Sequence, residues 1–148
     1  MSLASCPIVP QVSTAGERIF YDGECGLCHR WVRFALARDR GRELFRFAPL
    51  QGPTFATEVP EETRRALPDS LAVRTSDGRL LMRSAAVLHV LRRTGGPWGM
   101  LAALLGIVPV ALADWGYDRV AAVRKRWFAR PAELCPLVPP ELARRFDP

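Results

Sequence analysis

Lysine is almost absent from this chain: of its 21 basic residues only Lys125 is not arginine. Cationic contacts therefore rest on planar guanidinium groups, which suit bidentate pairing with carboxylates and phosphates. Cysteine is scarce too, and four thiols (Cys6, Cys25, Cys28, Cys135) in 148 residues are too few to staple a scaffold. No second C-x-x-C and no H-x-x-x-H is present, so a structural zinc site lacks half its ligands. Trp98 to Ala113 carries no charge over 16 residues, but it falls short of the ~20 residues a spanning helix needs and is broken by Gly99, Gly106 and Pro109. Met1 to Glu17 offers neither a basic residue nor the apolar run of a secretory signal, which predicts a cytoplasmic chain. Internal repeats and low-complexity tracts are missing, which excludes a solenoid.

What is there is enough for one compact core, with 49% apolar residues. Charge is uneven: residues 1–78 hold 10 basic and 10 acidic side chains, residues 79–148 hold 11 and 5, so the whole net charge of +6 lies in the second half. That excess points weakly to an acidic surface.

Along the chain, residues 1–16 read as a loose tail containing Cys6. Arg18 to Asp22 is a β-branched and aromatic run stopped by Gly23, a buried strand entering a loop. From Gly26 the spacing turns helical, with Leu27, Trp31, Phe34 and Ala35 on one stripe and an end before Gly41. Leu44 to Ala48, closed by Pro49, makes a second strand, and a crossover helix of this length implies parallel pairing. A Pro- and Gly-containing loop follows, then a short helix near Glu61 to Leu67. Leu71 to Thr75 and Arg79 to Arg83 flank Ser76-Asp77-Gly78, a hairpin signal. Ser84 suits the N-cap of a helix over Ala85 to Arg93, with Val87, Leu88 and Leu91 buried and Gly95 as the stop. His89 falls on the side of Ala85, Arg92 and Arg93 and reads as solvated.

The order βαβ, helix, ββ, α predicts an α/β fold: a thioredoxin-like three-layer core with a mixed four-stranded sheet over residues 17–96. Residues 97–148 are then a helical extension packed on it, with a longer basic-tipped helix from Pro109 to Phe128.

Cys25 follows the first strand at the start of the helix. A thiolate, not a thiol, attacks a disulfide, and the unpaired N–H groups and positive dipole end of a helix favour that anion. Cys28, one turn on, is placed to attack the resulting mixed disulfide. Cys25 is thus the expected nucleophile and Cys28 the resolving thiol. This requires two sulfurs close together with an exposed face. His29 and Arg30 would favour the anion if they approach it, whereas Glu24 and Asp22 would oppose it or relay a proton. Asp22 has a second reading as a loop cap binding nearby N–H groups.

Tyr21-Asp22-Gly23-Glu24-Cys25-Gly26-Leu27-Cys28, with Arg33-Phe34 and Phe45-Arg46-Phe47-Ala48-Pro49-Leu50-Gln51, resembles the DCC family of predicted thiol-disulfide oxidoreductases. The likeness runs on through Asp69-Ser70, Arg83-Ser84 and Arg126-Trp127-Phe128. It implies a thioredoxin-like fold, a redox role on a protein or small-thiol substrate, and functional weight on the Asp, Cys and Cys matched by Asp22, Cys25 and Cys28. Ordinary thioredoxins carry a cis-proline before the hairpin strand; counting back from Gly78 puts Ser70 there, which implies a different substrate-docking backbone.

Other readings of the same residues are weaker. Cys25 to His29 also spells C-x-x-C-H, the haem attachment signature, with Met82 or Met100 as axial ligands, but that chemistry belongs to exported chains of another fold. No cofactor and no metal are therefore expected. Cys135 reads as a packed thiol or a third redox thiol. Arg119, Arg124, Lys125 and Arg126 read as a solvated helix face; no nucleic-acid motif accompanies them, and peripheral membrane contact through residues 97–128 is the alternative, as a module with a non-catalytic dithiol.

Overall fold

The computed structural model describes residues 16–67, 71–127 (without the Lys125 side chain) and 144–147. The tail with Cys6, the Pro68 to Ser70 segment and Cys135 lie outside these residues.

The described residues form β1 (Glu17–Tyr21), α1 (Gly26–Asp39), β2 (Phe45–Pro49), α2 (Pro53–Glu58), α3 (Glu61–Ala66), β3 (Ala72–Arg74), β4 (Leu80–Met82), α4 (Arg83–Thr94), α5 (Gly96–Leu105) and α6 (Val110–Trp127). The sheet order is β2-β1-β3-β4. β1 runs parallel to β2, with Ile19 opposite Phe47, and antiparallel to β3, with Ile19 opposite Val73; β4 pairs antiparallel to β3. This is the mixed sheet of a thioredoxin-like α/β fold.

Strand alternation sorts the core into two faces. Ile19, Tyr21, Phe45, Phe47 and Val73 pack with Val32 and Ala35 of α1 and Ala86 and Val90 of α4. Phe20, Ala48 and Ala72 turn the other way onto Phe55 and Val59. Both faces of β1 are covered, which is why its run is apolar without a break. At the hairpin, Gly78 adopts φ +85°, and the Thr75 N–H donates to the Arg79 carbonyl at 2.9 Å.

Several sequence expectations shift by local physics. The expected loop after Pro49 contains α2, because Pro53 sits in its first turn, where a missing N–H costs nothing. α1 buries Cys28, Val32, Ala35 and Asp39, so the apolar stripe is rotated and Leu27 and Trp31 lie at its margin. α4 starts at Arg83 with Met82 as N-cap; Ser84 instead donates its hydroxyl to Asp114 of α6. Its buried residues are Ala86, Val90 and Leu91, with Val87 partly buried. His89 is half-buried and reaches the carboxylate of Glu17 at 2.8 Å.

The expected extension is only partly helical. α5 and α6 are helices, but Arg144 to Asp147 lie along β2: the Phe47 N–H donates to the Arg145 carbonyl at 2.8 Å and the Asp147 N–H to the Phe47 carbonyl at 2.7 Å. The corner between α5 and α6 is uncovered, since Met100, Leu104, Ile107 and Val110 are all more than 60% exposed.

Candidate functional site

Six residues separate the end of β1 from the second cysteine, and the turn from strand to helix sets their course. Asp22 is buried, and its Oδ1 accepts the Glu24 N–H at 3.0 Å and the Gln51 side-chain amide at 3.0 Å. Its own carbonyl accepts the Cys25 N–H at 3.2 Å. Gln51 closes the turn from the other side, its Oε1 accepting the Gly23 N–H at 3.2 Å. A Cβ on Gly23 would sit 3.3 Å from that oxygen, so the close approach is made by leaving the side chain out. The loop-capping reading of Asp22 therefore holds.

Cys25 is the N-cap residue of α1, in extended conformation, and Cys28 is one turn further in. Both are free thiols, and they are close enough for the charge and the hydrogen bonding of Cys25 to act on Cys28. Two expectations need correction. The Cys25 side chain makes no capping hydrogen bond, so the helix acts on it through its dipole and not by N–H donation. Nor is there an exposed sulfur face: Cys25 is 0% and Cys28 5% exposed, and both belong to the core cluster that includes Tyr21, Leu71 and Val73.

Burial pushes the Cys28 thiol up to about 12, helped by the charge of Cys25 and opposed by Arg124. Tyr21 beside it is likewise raised to about 12, first by burial and then by the charge of Cys28.

The cation at this site is one the sequence reading assigned to a solvated face. Arg124 of α6 is 4% exposed; its Nη1 donates to Cys28 Sγ at 3.2 Å and its Nη2 lies 3.6 Å from Asp22 Oδ2. Asp22 thus has a second task, holding a guanidinium against the dithiol. The expected helpers stand elsewhere: His29 donates from Nε2 to the Gly23 carbonyl at 2.9 Å with its ring edge-on to Tyr21, and Arg30 is exposed.

Tyr117, seven residues before Arg124 and so on the same face of α6, packs against the dithiol cluster. Its hydroxyl accepts the Leu71 N–H at 2.8 Å, and burial raises its pKa above the usual tyrosine value. Asp114, Tyr117 and Arg124 form a polar stripe, the one signal that could have identified the inner face of α6. Among the described residues, no group of three or more His, Cys, Asp or Glu side chains is gathered as a metal site.

Residues 19–130 match the family model described as DCC1-like thiol-disulfide oxidoreductase. The chain is 32% identical over 130 residues to the uncharacterized protein YuxK of Bacillus subtilis, covering 88% of this chain and 93% of that one. It is 30% identical over 119 residues to a chloroplastic DCC family protein of Arabidopsis thaliana, covering 80% and 68% respectively. No solved structure matches.

Proposed function

This chain belongs to the DCC1-like thiol-disulfide oxidoreductase family, and on that premise we propose that it exchanges its Cys25–Cys28 dithiol with a disulfide substrate. The observation that carries the reading is the pairing of two free thiols within one helical turn with a buried guanidinium on one of them.

In the forward direction Cys25, as thiolate, attacks one sulfur of the substrate disulfide. The S–S bond breaks, one substrate thiolate leaves and takes up a proton, and a mixed disulfide forms on Cys25. Cys28 then gives up its proton and attacks Cys25 Sγ, forming the Cys25–Cys28 disulfide and expelling the second substrate thiol. Two electrons pass from the dithiol to the substrate, and a thiol donor returns them. The high value of Cys28 fits the resolving role, since a thiol kept neutral does not compete as nucleophile. Arg124 supplies the positive charge at the moment Cys28 becomes an anion, and Asp22 positions Arg124. The exposed face that this chemistry requires is absent from the closed structure, so the proposed exchange needs local opening of the cover over Cys25.

The test is turnover of a disulfide by the purified full chain with a thiol donor. Cys25→Ser should abolish it, while Cys28→Ser should accumulate a mixed disulfide detectable by mass. Unchanged turnover in Cys25→Ser would overturn the assignment.

A further inference from the structure

Between Arg93 and Asp114 no charged residue occurs, and α5 and α6 meet within this segment at a bend of 114°. The corner points outward: Met100 is 76%, Leu104 64%, Ile107 78% and Val110 71% exposed. An apolar apex of this kind on a protein surface marks an interaction site. No single helix is long and apolar enough to cross a bilayer.

We propose that this apex seats in the interfacial layer of an anionic lipid bilayer. Cations border the apolar residues. The Arg92 guanidinium lies at the turn itself, where a Cβ on Gly106 would meet its Nη2 at 2.7 Å. Along the outer face of α6, Arg119 stands over the ring of exposed Trp115 at 5.1 Å, and exposed Arg126 and Trp127 follow. The acids of α6 engage α4 instead, Asp114 accepting the Ser84 hydroxyl and Asp118 lying 3.7 Å from Arg83. Apolar apex, tryptophans and cationic border are the pattern of an interfacially bound helix, whose apolar side enters the headgroup boundary while its arginines meet lipid phosphate. The charge also selects among occupants: a second copy would bring arginine against arginine, whereas anionic lipid brings the opposite sign.

The proposal is independent of the dithiol. Full-length protein is mixed with vesicles of phosphatidylcholine alone or with 30% phosphatidylglycerol, and flotation is followed together with tryptophan emission. The expected result is flotation with the anionic vesicles, a blue shift of Trp115 and Trp127 emission, and loss of binding in high salt. Ile107→Glu, at an exposed position that folding does not depend on, should abolish flotation with its circular dichroism unchanged. Arg119→Glu should weaken binding by more than the roughly fivefold that one cation contributes near a charged surface. Absence of flotation on both vesicle types at low salt would overturn the proposal. So would a dimer in sedimentation that vesicles leave intact and Ile107→Glu dissolves, since the apex then serves a second copy.

Discussion

Under the proposed exchange, a guanidinium 3.2 Å from a buried thiol makes the redox balance of the dithiol depend on one residue far away in sequence. Arg124 favours the Cys28 anion, and at the high pH where that anion is populated, toward 12, stabilising the reduced form makes the pair more oxidising. Arg124→Met should therefore lower the reduction potential there and move the pH profile of exchange upward. Arg124→Lys should restore part of each shift, because a single ammonium cannot reach Cys28 and Asp22 with separate N–H groups. Redox titration with thiol trapping measures both, and a merely structural arginine would leave the potential unmoved. The stability of the reduced protein carries a second signature. The Cys28 value is raised by burial from 9 to about 12, so folding favours the protonated thiol. The sign follows by linkage: this contribution is full below pH 9 and is lost as pH rises toward 12. Denaturant midpoints should fall across that window, and Cys28→Ala should flatten the fall, with Tyr21, also raised to about 12, and Tyr117, likewise raised by burial, supplying the remainder.

At the scale of the element, α6 decides whether the dithiol is covered. Its Tyr117 hydroxyl satisfies the backbone N–H of buried Leu71 at the entrance to β3. Tyr117→Phe leaves that donor unpaired, which should cost about 1–3 kcal/mol in chemical denaturation. The same change should speed alkylation of Cys25 in the native protein, because the helix over the site is less firmly tied down. Sequence reading located β1, α1, β2, the hairpin and α4, because strand runs, helical spacing and the Asp-Gly turn are local signals. α2 was missed because Pro53 reads as a breaker unless the first turn of a helix is already known to start there. The inner face of α6 was missed for a different reason: an arginine has an apolar stem and a charged tip, so periodicity alone cannot tell a solvated Arg124 from one buried in a site. Asp22, Cys25 and Cys28 were legible as a motif, but their partner was not, since only folding brings residue 124 to residue 28.

Across the whole molecule, the exposed edge of the sheet is closed by the chain's own last described residues, an arrangement no local pattern announces. Phe146 pairs with Phe47 and stacks on its ring at 5.3 Å, which satisfies β2 where an open strand would recruit another chain. Charges lock the closure. Asp147 accepts from Arg46 Nε at 3.0 Å and from Arg18 Nε at 2.9 Å, all three side chains being 12% exposed or less, while Arg145 donates to the Phe45 carbonyl and to the buried carboxylate of Asp39. Removing one partner of a buried ionic set is far more damaging than the set is stabilising, since the remaining charges keep their desolvation cost. Asp147→Asn should therefore destabilise by about 3 kcal/mol, with Arg46 and Arg18 losing their shared carboxylate. Glu61→Gln breaks an ion pair with Arg65 whose partners are 62% and 79% exposed, and should change stability by less than about 0.5 kcal/mol. Equal effects of the two substitutions in urea denaturation would mean that the C-terminal closure does not hold the sheet. If the effects differ as expected, deletion of residues 144–148 should also promote aggregation, because β2 then presents a bare edge.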